Sequence, residues 1–326
     1  MRKQSVEFLS WNKFKRSIRS RELHPIDGDE RFFNLAQGYW VYDELLSGLK
    51  SSGWFRFAPG FKAGLYGNPG SSYCIKILGM GVGENPQYFC ERGYYLEHEE
   101  KMLRNFRQGG FDFAPEPLSP ESSIRLLVDE CRLSSAQAEM RVRRHDLLVM
   151  ELISGVPLAT QTGRFLNYEV NIVQYEKDVI DQMVAALHKL KADLAKANAG
   201  LLLHNDPMPP NILFTLDDRN NLVARLVDFE LSQDLHIPSP DWVNSSVSEL
   251  YDEREVPRNV YTGRHTKNLD QHLMDSTIGA AEIIQRTTPK IRTVGDLLDG
   301  IDLEIPFVGG ISLNLGQAYR FLIRKG

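Results

Sequence analysis

Residues 201–232 read LLLHNDPMPPNILFTLDDRNNLVARLVDFELS, and the reading of the fold turns on this stretch. It carries His204, Asn205 and Asp206 in a row, then Asn211 five residues after the aspartate. A β-prone run, LVARLV, follows and leads into Asp228, Phe229 and Glu230. The pattern describes a loop presenting two oxygen-donor side chains, then a hairpin returning a third beside them. Phosphoryl transfer calls for such a set: one carboxylate to orient the attacking hydroxyl and take its proton, and hard oxygen ligands for Mg2+. His-x-Asp alone is short enough to arise by accident. Its combination with the asparagine, an apolar strand and Val227-Asp228-Phe229 is much harder to obtain by chance. The alternative for the same residues is a polar loop and hairpin closed by Asx turns.

The stretch resembles the catalytic loop of protein kinases, His-x-Asp-x-x-x-x-Asn, followed by their Asp-Phe-Gly motif. The resemblance implies Asp206 as the catalytic base, Asn211 and Asp228 as Mg2+ ligands, and ATP as the phosphate donor. Lys76 sits in YCIKIL, an apolar strand where an ammonium is costly unless it is paired or reaches a ligand. It looks like the strand lysine that contacts ATP phosphates, with Glu99 of YYLEHEEKML as its helix partner, ahead of Glu100 and Glu97. The alternative is a lysine snorkelling to the surface beside a solvated glutamate face. Gly60 and Gly64 frame the segment where a kinase has its phosphate-covering loop, although GxxxG departs from the full GxGxxG and plain turn glycines fit as well. Glu151 and Ile153, at the end of an apolar strand before Gly155, resemble the hinge whose backbone binds adenine.

The likeness spans roughly Phe57 to Gln233 and has departures. Met208 stands two residues after Asp206, where protein kinases usually carry lysine and aminoglycoside phosphotransferases often histidine. One contact that would neutralise the transferring phosphate is therefore missing from the pattern. Glu230 replaces the usual glycine, which argues against a flipping motif, and no Ala-Pro-Glu follows. The wording His-Asn-Asp with Asp-Phe-Glu is similar to choline and ethanolamine kinases. The short interval from Ile153 to His204 is nearer to protein kinases, because the small-molecule families usually insert extra helices there.

With 326 residues, two lobes are expected. The order of elements fits an α+β, two-lobed protein-kinase-like fold: an N-terminal extension over 1–56, a small β-rich N-lobe over 57–153 and a larger helical C-lobe over 154–326, with ATP and Mg2+ between the lobes. Strands are expected over Ser72–Leu78, Leu126–Val128 and His145–Ile153, and helices over Tyr88–Phe106 and Tyr168–Ala199. Asp129–Arg144 reads as a polar connection and the serines of DWVNSSVSEL as exposed loop positions. His188 reads as a packing or capped histidine, and residues 305–324 as a turn and a final amphipathic helix.

A net charge of −5 gives no argument for a nucleic-acid partner. Arg2, Lys3, Lys13, Lys15, Arg16, Arg19 and Arg21 make the start basic; a solvated segment is the reading, an anionic partner or membrane surface the alternative. Cys74, Cys90 and Cys131 have neither CxxC spacing nor paired histidines, which fits a reducing compartment better than a zinc site or disulfide framework. No run of 18–20 apolar residues and no secretory pattern appear, so a soluble, cytoplasmic kinase is expected. Its acceptor is a hydroxyl, protein Ser/Thr first. A small-molecule hydroxyl, or an interaction module that has lost catalysis, are the alternatives.

Overall fold

The computed structural model describes residues 9–19, 23, 25, 32–34, 39–41, 44–59, 63–78, 95–161, 168–170, 175–254, 256, 268–287, 304–307 and 311–314. The chain is a mixed α+β protein, and no helix among these residues is long and apolar enough to cross a membrane. Contacts divide it into two units: Glu22–Ile153 with Ile237–Val243, and Met1–Arg21 with Ser154–His236 and Asn244–Gly326. Helix α1 (Trp11–Arg19) therefore groups with the second unit. Phe14 and Ile18 form its buried stripe, and the Phe14 ring meets Tyr175 edge-on at 4.8 Å. Burying a phenylalanine contributes about 1.5–3 kcal/mol, enough to hold a nine-residue helix that charge alone would leave in solvent.

The first unit opens with the small hairpin β1 (Phe32–Asn34) and β2 (Tyr39–Val41), then helix α2 (Glu44–Ser51). Its sheet is antiparallel, in the order β3 (Phe55–Pro59), β4 (Ala63–Gly67), β5 (Tyr73–Leu78) and β6 (Leu147–Glu151). Asn68 closes the β4–β5 turn by accepting the Gly70 amide on its side chain at 2.9 Å. Along β5 successive side chains alternate between faces. Ile75 and Ile77 enter a core with Trp54, Tyr66, Leu127 and Val149, which leaves Lys76 on the other face.

Helix α3 (Tyr95–Gln108) ends before Gly110, whose φ of 81° needs a residue without a Cβ. The expected start at Tyr88 lies outside the described residues. The expected strand at Leu126–Val128 is instead part of helix α4 (Pro120–Asp129): the Ser119 hydroxyl accepts the Ser122 amide and Pro120 fills the first helical position. Short apolar runs do not distinguish strand from helix, and here the cap decides. The polar excursion after it is also helical. Ser134 and Gln137 form a reciprocal capping box at the start of α5 (Ser135–Arg143).

In the second unit β7 (Val156–Pro157) pairs with Leu213 and Phe214, and β8 (Ala159–Gln161) with β9 (Tyr168–Val170). The long helix is shorter than its periodicity suggested. Tyr168–Val170 is strand, and α6 (Lys177–Ala199) begins only after Glu176, burying Ile180, Met183, Leu187, Leu190 and Leu194. Then come β10 (Leu202–Leu203), β11 (Ile212–Leu216), β12 (Leu222–Leu226) and β13 (Gln233–Asp234). The serines expected in a loop lie on helix α7 (Asp241–Glu253), whose first residues belong to the first unit. Helix α8 (Leu269–Thr287) follows. His188 is exposed and bonded to Glu282 at 3.1 Å rather than packed. Residues 305–314, expected as a turn before a helix, belong to a hairpin, β14 (Glu304–Phe307) and β15 (Ile311–Asn314); residues 315–326 lie outside the described set.

Candidate functional site

Two clusters of sequence-selected residues form, one in each unit. In the first unit Lys76 is 7% exposed and Glu99 1% exposed. The Lys76 Nζ lies 2.9 Å from Glu99 Oε1 and 2.8 Å from Oε2. Lys76 does not snorkel: a buried carboxylate on α3 meets it with both oxygens. Removing two charges from water costs several kcal/mol per ion, so geometry this close is needed merely to offset the penalty. Glu100 turns to Arg104 and His145 instead.

Gly64 lies within β4 opposite Ile77, not in a loop, and Gly60 falls outside the described residues. Glu151 ends β6. Its amide donates to the Glu116 carbonyl at 2.8 Å, the next amide, of Leu152, donates to Ser72, and Ile153 is buried.

The second cluster grows out of β10. Leu202 and Leu203 pair antiparallel with Asp234 and Gln233, so the chain segments around 204 and 230 leave that ladder side by side. His204 is fully buried, its ring edge-on to Phe229 at 4.5 Å. Burial drives its pKa down to about 4, so the ring is neutral, and Nδ1 accepts the Asp206 amide at 3.2 Å. Asn205 adopts the left-handed backbone conformation, φ 67°, and its amide group donates to Leu231 O at 2.9 Å and Gln233 Oε1 at 3.0 Å. The turn that projects Asp206 is thereby tied to the segment after Asp228.

Asn211 closes the loop by donating to both the carbonyl and the carboxylate of Asp206, each at 3.0 Å. The β11–β12 hairpin then returns the chain with Ile212 opposite Leu226. The Val227 amide donates to Asn211 O at 3.0 Å, which brings Asp228 alongside. Asp228 itself has φ 65°, a conformation that costs a non-glycine residue free energy and that clusters at functional sites.

Asp206, Asn211, Asp228 and Glu230 are all half-buried, within reach of a ligand. Protein around the Asp206 carboxyl nevertheless removes enough water to push its pKa up to about 8, with Asp228 and Glu230 adding repulsion and Arg254 and Asn211 opposing it. Asp228 and Glu230 thus join burial in opposing charge on Asp206. Among the described residues no three His, Cys, Asp or Glu side chains are spaced as a metal cage. Asn211 and Asp228 would supply one amide and one carboxylate oxygen. Mg2+ commonly takes only one or two protein carboxylates, with water and phosphate completing its shell.

Two residues escaped the sequence reading. Asp270, fully buried in the first turn of α8, accepts the His204 amide at 2.8 Å and the Asn205 amide at 2.6 Å. Nothing local marks it, since an acidic residue in a helix's first turn is ordinary. Arg254, at the end of α7, is buried as well. No protein-family model matches the chain, and no curated protein matches it either.

Proposed function

We propose that the chain is an ATP-dependent phosphotransferase of the two-lobed protein-kinase-like fold, moving the γ-phosphoryl group of Mg·ATP to a hydroxyl acceptor, with protein Ser/Thr as acceptor class. The observation that carries this reading is the junction of Asp206, Asn211 and Asp228. One amide bonds the Asp206 carboxylate, and the hairpin returns a strained aspartate beside it. The buried Lys76–Glu99 ion pair, hydrogen-bonded through Oε1, gives it independent support.

In this mechanism Asp206 orients the acceptor hydroxyl. The hydroxyl oxygen bonds to the γ-phosphorus as the bond to the β,γ-bridging oxygen breaks, ADP leaves, and the hydroxyl proton passes to the Asp206 carboxylate. Asp228 and the Asn211 side-chain oxygen would hold Mg2+, which supplies positive charge against the β- and γ-phosphates. Lys76, oriented by Glu99, would hold the α- and β-phosphates. Adenine would use the Glu151 carbonyl and the Ile153 amide, because the Glu151 amide already bonds Glu116. The protein's share is positioning and electrostatics.

A small-molecule hydroxyl acceptor is the second reading. Residues 241–253 after the Asp228 turn are helical, so they offer no extended edge for a peptide to pair with.

The test is phosphate transfer from γ-labelled Mg·ATP, comparing wild type with Asp206→Ala and Asp228→Ala. Label on the protein, lost in both variants, supports the reading with a protein acceptor. Label found only on an amino alcohol, sugar or aminoglycoside supports the second acceptor class. Undiminished transfer by Asp228→Ala overturns the assignment.

A further inference from the structure

Ile237–Val243 follow β13 in the chain, yet they group with Glu22–Ile153 in the first unit. Trp242, the second residue of α7, carries a contact of that grouping. Its ring centroid lies 4.1 Å from that of Tyr95, tilted by 45°, and 5.5 Å from that of His98, edge-on at 80°. Tyr95 and His98 are buried and Trp242 is half-buried. Aromatic rings at such separations attract one another beyond the burial of their area, and they favour tilted and edge-on arrangements.

Tyr95 and His98 belong to the buried stripe of α3 that also carries Glu99 and Met102. Glu99 is therefore a neighbour of both rings that Trp242 touches, and it meets Lys76 Nζ at 2.9 and 2.8 Å. The rest of α3 is held by other partners. Arg104 donates to the Leu118 carbonyl at 2.6 Å, and Glu100 Oε2 lies 3.4 Å from His145 Nδ1. The Phe106 ring meets Phe111 and Phe113 edge-on at 6.2 and 5.7 Å. Chain that follows α3 directly thus anchors its later turns, whereas a ring from a distant segment packs on the turns around Glu99. A shift of about 1 Å there takes a bond of 2.9 Å beyond hydrogen-bonding distance.

We propose that Trp242 is a positioning residue for the Lys76–Glu99 pair: by packing on Tyr95 and His98 it fixes the turns of α3 that aim Glu99 at Lys76. This assignment rests on the phosphotransferase reading, in which Lys76 holds the nucleotide phosphates. Trp242 touches no substrate and acts through Glu99 alone. Without its ring, Tyr95 and His98 gain room to move into the vacated space, and Glu99 is drawn away from the lysine. Lys76 then loses the partner that orients its ammonium. A misplacement of about 1 Å caused by a residue far from the chemistry costs on the order of 100-fold in rate.

The experiment measures turnover of γ-labelled Mg·ATP by the full chain as wild type, Trp242→Ala, Trp242→Phe, Glu99→Gln and the double variant of Trp242→Ala with Glu99→Gln. A cooperative melting transition checks that each is folded. Trp242→Ala should lower turnover roughly 10- to 100-fold, and Trp242→Phe, which keeps a ring against Tyr95 and His98, should stay within about threefold of wild type. Glu99→Gln should lose at least as much as Trp242→Ala. The double variant should then be within about twofold of Glu99→Gln, because two residues acting through one contact do not add their losses. Losses that multiply in the double variant refute the assignment, since Trp242 would then act independently of the pair. Unchanged turnover in Trp242→Ala or in Glu99→Gln refutes it too, as does a Trp242→Phe variant as slow as Trp242→Ala. Should Trp242→Ala lack a melting transition, Trp242→Leu takes its place in the same comparison, and loss of the transition in both makes Trp242 a purely structural residue and ends the proposal. A wild type that does not turn over Mg·ATP overturns the phosphotransferase reading and this assignment with it.

Discussion

Asp270→Asn perturbs a buried carboxylate that anchors the Asp206 loop through the His204 and Asn205 amides. The wild-type carboxylate accepts two amides, at 2.8 and 2.6 Å, which favours its charged form, but it is fully buried, which disfavours it. Burial wins: its pKa is raised from 3.8 to about 6. A carboxyl whose folded pKa exceeds its unfolded one contributes stability that is complete below the unfolded value and is lost as pH rises through the folded value. Between pH 4.5 and 7.5 this group should remove about 2 kcal/mol of folding stability, an effect that asparagine, which does not titrate, cannot show. Urea unfolding of both proteins across that range is the assay, since other titrating groups cancel in the difference. Stability of wild type relative to Asp270→Asn should decline by that amount as pH rises. Amide exchange at His204 or Asn205 should quicken, because the asparagine amide offers one acceptor oxygen where the carboxylate offered two. Transfer from Mg·ATP should fall with it. A wild-type advantage that grows with pH would falsify the reasoning, for it would mean that the two hydrogen bonds outweigh burial.

Two further outcomes follow from the same kind of accounting. Lys76→Met removes the cation on which the buried Glu99 carboxylate is seated, so it should destabilise by about 3–5 kcal/mol. The double variant with Glu99→Leu should recover most of that stability in denaturant titration yet none of the Mg·ATP turnover. Gly155→Ala should lower thermal stability by about 1–3 kcal/mol, because a Cβ there would lie 2.8 Å from the Phe214 carbonyl, a backbone atom that cannot swing away. A wild-type melting midpoint for that variant would show that β7 and β11 can separate at little cost.

The candidate site was more legible in the sequence than the fold around it, and the reason is local. His204, Asp206 and Asn211 fall within one loop, and Asp228 follows a single hairpin, so spacing along the chain carries their geometry. Lys76 was visible because a charge inside an apolar strand breaks the pattern of its neighbours. Elements failed where two periods compete over a few residues. Leu126–Val128 is apolar enough for a strand, and only Ser119 and Pro120 upstream reveal a helix start. Tyr168–Val170 continued a helical pattern but pairs as a strand with Ala159–Gln161.

What the sequence concealed is the support beneath the loop. Asp270 lies 65 residues beyond the Asn205 amide it accepts, and Arg254 is separated from Asp206 by the whole β11–β12 hairpin and α7. No residue-type rule marks either one, because an aspartate and an arginine on helices are most often solvated. Burial distinguishes them, and burial is a property of the assembled unit. Both cost folding free energy as charges in a low-dielectric setting. A chain selected for stability alone would replace them with apolar residues of similar volume. Asp270 is explained by two backbone amides that must be held still.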